Sequence, residues 1–331
     1  MKAMLLRAAA AISTPPLRLE DVPDPRPAAD EILIKVSACA VCRTDLQLTE
    51  GDLAAQFTPF IPGHQVTGEV VATGSAVEGW QPGDRAAAGW LASTCGVCAY
   101  CRAGRENLCP DAQFTGWSRN GGYAEYVAVR SAFAFKVPQG FADLAAAPLL
   151  CGGVIGYRSL KRSAVQPGQR LGLFGYGASA HLTIQVARHW GCEVFVWTRS
   201  AQEQQRALAT GAAWAGSYGD HPGVAMDAAI TFAPVGDVVI SALESVTPGG
   251  TVAINAIHLD RIPEFSYDLL WRERNLVSVA NYTRQDATEL LDLAATIPIA
   301  TDIETLPLSA ANDALQRLKD GRLRGTAVLC P

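Results

Sequence analysis

The chain has 331 residues, 49% hydrophobic and 18% charged, with a formal net charge of −5. That length exceeds what one ordinary core fills, so two domains are expected, and the acidic balance gives no electrostatic basis for nucleic acid or an anionic membrane as partner. A protein acting on a small molecule is the class left.

The first ten residues look superficially like a signal peptide, but Arg7 interrupts the apolar run and the stretch reads as a first strand. No segment approaches the roughly 18 apolar residues of a membrane span, so a cytoplasmic protein is expected. Nine cysteines are many for that compartment unless metal, not disulfide, uses them. Glu31 to Ser37 alternates apolar and polar, as does Val66 to Thr73 less regularly. Dense Pro and Gly punctuation, including Pro82-Gly83-Asp84, points to an irregular all-β domain in the first third.

Between those strands stands Cys42-Arg43-Thr44-Asp45: a soft metal ligand, a phosphate-seeking cation, a hydroxyl relay and a carboxylate. A zinc that performs chemistry takes three protein ligands and leaves the fourth position open. His64 and Cys151 are the candidates to complete the set. Taken singly, Cys42 and Cys151 read as packing residues and His64 as a hydrogen-bonded loop histidine. Occurring together, they favour a site.

Cys95, Cys98, Cys101 and Cys109 form Cys-x2-Cys-x2-Cys-x7-Cys in one loop. Four thiolates so close suit a closed tetrahedral structural zinc. An iron-sulfur cluster is the rival, and Pro110 after the last cysteine is a point in its favour. Cys39 makes a Cys-x2-Cys with Cys42, but its place at the end of a strand favours packing over redox chemistry. Cys192 and Cys330 are isolated.

From Cys151 strands alternate with helices: Arg170 to Phe174, helix Ala178 to Trp190, strand Glu193 to Trp197, helix Ala201 to Thr210, strand Met226 to Phe232, helix Val235 to Val246, and strands Thr251 to Asn255 and Leu276 to Ala280. This predicts an α/β, doubly wound parallel sheet. Asp286 to Thr296 is a further helix candidate, and a last segment, helix Ala310 to Lys319, a Gly321 stop and strand Gly325 to Leu329, returns the chain to the first domain.

In Gly172 to Ala180, the residues Gly175, Gly177 and Ala180 fill the three small positions of a dinucleotide-binding turn between strand and helix. Tyr176, Ala178 and Ser179 lie within the same turn, whose helix N-terminus would face phosphate. A merely tight strand-to-helix turn is the plainer alternative. After the second strand, where NAD-binding folds commonly carry Asp or Glu, stands Thr198-Arg199-Ser200. A guanidinium with two hydroxyls and no repelling carboxylate tilts the choice toward NADP(H) over NAD(H). Stacking of Arg199 on adenine would leave NAD use open.

With these pieces in place, the chain resembles the zinc-dependent alcohol dehydrogenases of the medium-chain dehydrogenase/reductase family over nearly its whole length. The resemblance rests on Cys-Arg-Thr-Asp at 42–45, Gly-His at 63–64, Gly-Asp-Arg at 83–85, the four-cysteine lobe, Gly-Gly-Tyr-Ala-Glu-Tyr at 121–126, Cys-Gly-Gly at 151–153 and the glycine turn. Arg105 to Cys109 and Phe114 to Trp117 are similar to the bacterial alcohol dehydrogenase A-like branch.

The resemblance implies a GroES-like catalytic domain over 1–151 and 298–331, with a structural zinc lobe at about 90–112, and a Rossmann domain over 152–297, with a cleft between them. It implies two zinc ions per chain: Cys42, His64 and Cys151 on the catalytic one, and Cys95, Cys98, Cys101 and Cys109 on the structural one. Arg43 would contact the cofactor pyrophosphate, Thr44 would pass on the alcohol proton and Asp45 would orient His64. Trp90 and Trp117 would narrow the substrate pocket, with Ala256 and Ile257 on the cofactor side. The implied activity is reversible hydride transfer between a primary alcohol and NAD(P)+, in a homo-oligomer, dimer or tetramer. An NADPH-dependent aldehyde reductase uses the same site, and a non-catalytic zinc- and nucleotide-binding protein is the reading from another class. Two positions depart from the family: Gln65 follows the histidine where Glu is usual, and Gln47 stands where many members carry a relay histidine.

Overall fold

A computed structural model describes residues 1–256 and 259–331. It divides into two compact units, Met1–Cys151 with Asn281–Pro331, and Gly152–Ala280.

In the first unit Glu31–Ala40 is the central strand. Ile32, Ile34, Val36 and Ala38 point inward and are at most 6% exposed, while Lys35 and Ser37 face out, the period of two that one buried face demands. The sheet runs Ile303–Pro307, Thr326–Cys330, Glu31–Ala40, Val66–Thr73, Arg85–Ala88, Ala134–Lys136, with Tyr126–Arg130 also paired to Glu31–Ala40. Antiparallel pairing sets Cys39 opposite Val66 and, on the other side, opposite Leu329. Register thus brings the ends before Cys42 and after His64 to one place. Leu6, Phe60 and Tyr123 fill the core beside this sheet.

The turn back into this unit comes at Asn281, ahead of the expected 298. The difference has a physical cause: Tyr282 is hydrogen-bonded to Leu91, and Arg284, the first residue of the helix Arg284–Ala294, is bound to Glu106. Apolar periodicity reports the helix but not which core it joins.

The second unit is a parallel sheet in the order Trp214–Gly216, Glu193–Trp197, Arg170–Phe174, Met226–Thr231, Val246–Ile254, Asn275–Ser278. Counted by their order in the chain these strands run 3-2-1-4-5-6, the doubly wound arrangement whose switch point lies beside the first strand. Leu171, Leu173 and Phe174 are at most 1% exposed, as strands covered on both faces must be. Phe174 and Trp197 stack at 4.4 Å. The strand Val246–Ile254 begins earlier than expected, because Pro248-Gly249-Gly250 reads as a turn yet is absorbed by a register shift against Met226 and Ala228. Among the described residues no helix is long and apolar enough to cross a membrane.

Candidate active site

Cys42 ends the central strand's exit and caps the helix Arg43–Glu50, a helix that the sequence did not announce. Asp45, wholly buried, binds this turn together: its Oδ2 accepts the Cys42 N–H at 2.9 Å and the Tyr123 hydroxyl at 3.1 Å, and its Oδ1 meets His64 Nδ1 at 3.0 Å. Three donors on one carboxylate satisfy a charge that would otherwise be costly to bury. With Nδ1 occupied, His64 turns Nε2 toward the thiols. The Cys42 and Cys151 sulfurs are 3.8 Å apart, and the ligand atoms of Cys42, His64 and Cys151 all lie within 4.8 Å of one another.

Gly63 is required here. Its φ is +96°, and a Cβ would sit 2.4 Å from the Tyr123 ring. The glycine lets Tyr123 reach Asp45, and Tyr123 is a site residue that sequence reasoning missed; Gly-Gly-Tyr in the 121–126 motif was the one signal for it.

Protonation in this cluster is shared. The bond from the Cys151 thiol, aided by His64 and opposed by burial, pulls the Cys42 thiol well below its ordinary value, while donating that bond, together with burial, pushes Cys151 well up. Burial works against a charged His64, but the Asp45 charge and hydrogen bond, with the Cys42 thiolate, raise it from 6.5 to about 10. A divalent cation entering must therefore displace protons. Two thiolate sulfurs and an imidazole nitrogen suit zinc, for which Zn–S bonds of about 2.3 Å in a tetrahedron put sulfurs about 3.8 Å apart.

Thr44 is buried, with Oγ1 3.9 Å from Cys42 Sγ, and Arg43 is exposed. Trp90 sets its edge on His64 at 5.0 Å and stacks with Trp117 at 5.8 Å and with Phe114 at 5.1 Å, so Phe114 joins the two expected aromatic residues. Trp117 Nε1 donates to the Ala54 carbonyl at 2.8 Å. Gln65 is buried, and its Nε2 donates to the Ala40 carbonyl at 3.1 Å. That clamp gives the amide a role a carboxylate could not take, because a carboxylate would face the carbonyl oxygen unpaired.

In the four-cysteine lobe the Sγ separations are 3.5 Å for Cys98–Cys101, 3.6 Å for Cys95–Cys109 and 4.0 Å for Cys95–Cys101. They bracket the same tetrahedral spacing. Backbone N–H groups of Cys95, Cys98 and Cys101 each point at a lobe sulfur at 3.4 Å. Such bonds from Val97 and Cys98 bring the Cys95 thiol down to about 7, and burial lifts Cys109 to about 11.

In the second unit Gly175 has φ +97°, and its N–H donates to the Trp197 carbonyl at 2.7 Å. Gly177 caps the helix Ala178–His189, and a Cβ built on it meets nothing within 4 Å, which leaves open space at the helix N-terminus for a phosphate. Ala180 is buried against the sheet, and Ala178 and Ser179 are half-buried in the helix's first turn. The Tyr176 side chain is buried, with its hydroxyl 3.3 Å from His181 Nδ1, which leaves the backbone of the turn as the part that could face a cofactor. Thr198 is buried, Arg199 is exposed, and the Ser200 hydroxyl accepts from Glu203 N–H as the cap of the next helix. Ala256 is half-buried after its strand; Ile257 lies outside the described residues.

Residues 28–139 match the family profile "Alcohol dehydrogenase GroES-like domain" and residues 180–296 match "Zinc-binding dehydrogenase". The chain is 49% identical to a probable alcohol dehydrogenase, AdhA, of Mycobacterium tuberculosis, over 99% of this chain and 97% of that one. It is 33% identical to an alcohol dehydrogenase of Geobacillus stearothermophilus, over 95% of each. A solved putative zinc-binding dehydrogenase from Sinorhizobium meliloti 1021 bound to NADP is 28% identical, with a TM-score of 0.88 over 100% of this chain and 99% of that one.

Proposed function

The chain belongs to the zinc-dependent alcohol dehydrogenases of the medium-chain dehydrogenase/reductase family, and on that premise we propose that it oxidises primary alcohols reversibly to aldehydes with a zinc ion on Cys42, His64 and Cys151. One observation carries the reading: three ligand atoms within 4.8 Å, with the imidazole already turned by Asp45. A zinc held there would supply a Lewis acid and a bound NAD(P)+ a hydride acceptor.

The chain's own residues do the rest. Asp45 holds the His64 Nδ1 side, so the proton that metal binding displaces is the one on Nε2, which then becomes the lone-pair donor. Thr44 Oγ1 takes the alcohol proton and hands it on, which requires hydrogen-bond reach to the substrate oxygen. Trp90, Trp117 and Phe114 form an apolar wall beside His64, which excludes water from the reacting carbon.

A second zinc belongs on Cys95, Cys98, Cys101 and Cys109, where the full set of thiols leaves no position for substrate. Six cysteines assigned to zinc as thiolates suit a reducing, cytoplasmic setting. A homo-oligomer is supported by the outer strand Asn275–Ser278 of the parallel sheet and by exposed Tyr267 and Trp271 nearby in the chain. Two zincs per purified chain and turnover of primary alcohols are the expected results; one zinc and no turnover with either cofactor would instead indicate a nucleotide-binding protein without catalysis.

NADP(H) is the favoured cofactor, because Arg199 stands exposed after the second strand, flanked in sequence by Thr198 and Ser200 where a carboxylate is common, and the Sinorhizobium relative was solved with NADP. Arg199→Ala is expected to weaken NADP(H) binding by about 1.5 to 3 kcal/mol, the scale of a charge-assisted contact, and NAD(H) binding far less. Titration of both cofactors by fluorescence decides the matter, and equal losses would remove Arg199 from phosphate recognition.

A further inference from the structure

Tyr282 takes no part in the ligand set, yet it is 2% exposed and its hydroxyl is enclosed by the backbone that carries the site. The Leu91 N–H donates to Tyr282 Oη at 3.3 Å. A Cβ on Gly89 would lie 2.1 Å from that oxygen and 2.7 Å from the Leu150 carbonyl. Gly89, Trp90 and Leu91 thus wrap one hydroxyl, with Leu150 against the same glycine. Trp90 is the ring resting on His64, and Leu150 precedes the ligand Cys151.

Tyr282 is itself held from the other side. Its N–H donates to Asn281 Oδ1 at 2.9 Å, and Thr283 and Asp286 form a reciprocal cap on the helix that follows. Arg284 opens that helix and gives Glu106 its backbone N–H at 2.8 Å, Nε at 3.0 Å and Nη2 at 2.7 Å, while its guanidinium lies 4.5 Å over the Phe133 ring. Glu106 sits between Cys101 and Cys109, and its carbonyl accepts the Cys109 N–H at 3.0 Å. A bidentate pair of this kind fixes direction as well as distance.

We propose that Tyr282 is a positioning residue for the reaction, holding Trp90 against His64, and that the Glu106–Arg284 pair ties this placement to the four-cysteine lobe. The lobe then sets the substrate wall as well as stabilising the fold. This rests on the reading of Cys42, His64 and Cys151 as an alcohol site.

The test compares the zinc-loaded parent with Tyr282→Phe, Glu106→Gln and the double variant. Removing one hydroxyl should raise the alcohol KM about three- to tenfold, the worth of one hydrogen bond, with kcat and the cofactor KM within about twofold of the parent. The tryptophan emission that disappears in Trp90→Phe should shift in Tyr282→Phe. Glu106→Gln should move KM and emission the same way, and the double variant should be no worse than Tyr282→Phe alone, because both changes act on one placement. Should Glu106→Gln fail to fold, Arg284→Lys, which keeps the charge and loses the two-pronged contact, replaces it. Parental KM and emission in Tyr282→Phe would overturn the proposal, as would a uniform fall of all parameters together with Tm, or fully multiplicative effects in the double variant. If the parent turned over no alcohol, the function reading would fail, and the emission shift alone would still decide whether Tyr282 places Trp90.

Discussion

Cys42→Ala should lower alcohol turnover by about a thousandfold or more, the loss expected when several kcal/mol of transition-state stabilisation go with the ion, and should leave one zinc per chain. Its fold should survive. Asp45 is tied to Cys42 through the backbone N–H and to Tyr123 and His64 through their side chains, so the thiol can leave without freeing the buried carboxylate. Cys98→Ala should do the opposite, lowering Tm through a loss of about 3 to 5 kcal/mol while turnover per remaining folded molecule falls far less. The lobe's helix Ala99–Arg102 has no buried residue, so that turn brings no apolar packing to replace a lost thiol. Metal analysis, calorimetry and initial rates on the two variants separate these roles. Near-parental turnover in Cys42→Ala would show that the catalytic ligand set is wrong.

What the sequence disclosed follows from which signals are local. The strands Arg170–Phe174 and Glu193–Trp197 were legible to the residue because both faces are buried and the apolar run has no gaps. The helix Arg43–Glu50 was not: its buried apolar residues, Leu46 and Leu48, are two apart, which carries no helical period, and its order comes from the Asp45 cap. The four-cysteine lobe was readable because its four thiols are neighbours in sequence. His64 and Cys151 were found as candidates from residue type, but their approach to Cys42 depends on the Cys39–Val66 register, which no local pattern states. Tyr123 and Tyr282 escaped for a related reason. Each is a single tyrosine buried by long-range packing, and only the three-dimensional partners, Asp45 and Leu91, give its hydroxyl a purpose.

Thr44 offers the sharpest separation between binding and proton transfer. It is the second residue of its helix, buried to 9% exposure, with Oγ1 3.9 Å from Cys42 Sγ. Its β-branched side chain has few rotamers there, so the hydroxyl is held in place before substrate arrives. A hydroxyl can accept one proton while releasing another, and none of its immediate neighbours can substitute: Cys42 is assigned to the proposed zinc, Asp45 already takes three donors, and the Gln47 amide does not titrate. Thr44→Ala should therefore reduce kcat by about a hundred- to ten-thousandfold, the range of general acid–base contributions, with little change in KM and both zincs retained. Thr44→Ser keeps the hydroxyl and should recover most of kcat, which a merely structural role for the methyl group would not allow. Steady-state rates and zinc content for both variants provide the check. If Thr44→Ala kept more than about a tenth of the parental kcat, well above the loss expected on removing a general acid–base group, the alcohol proton would have to leave by a path that does not include this hydroxyl.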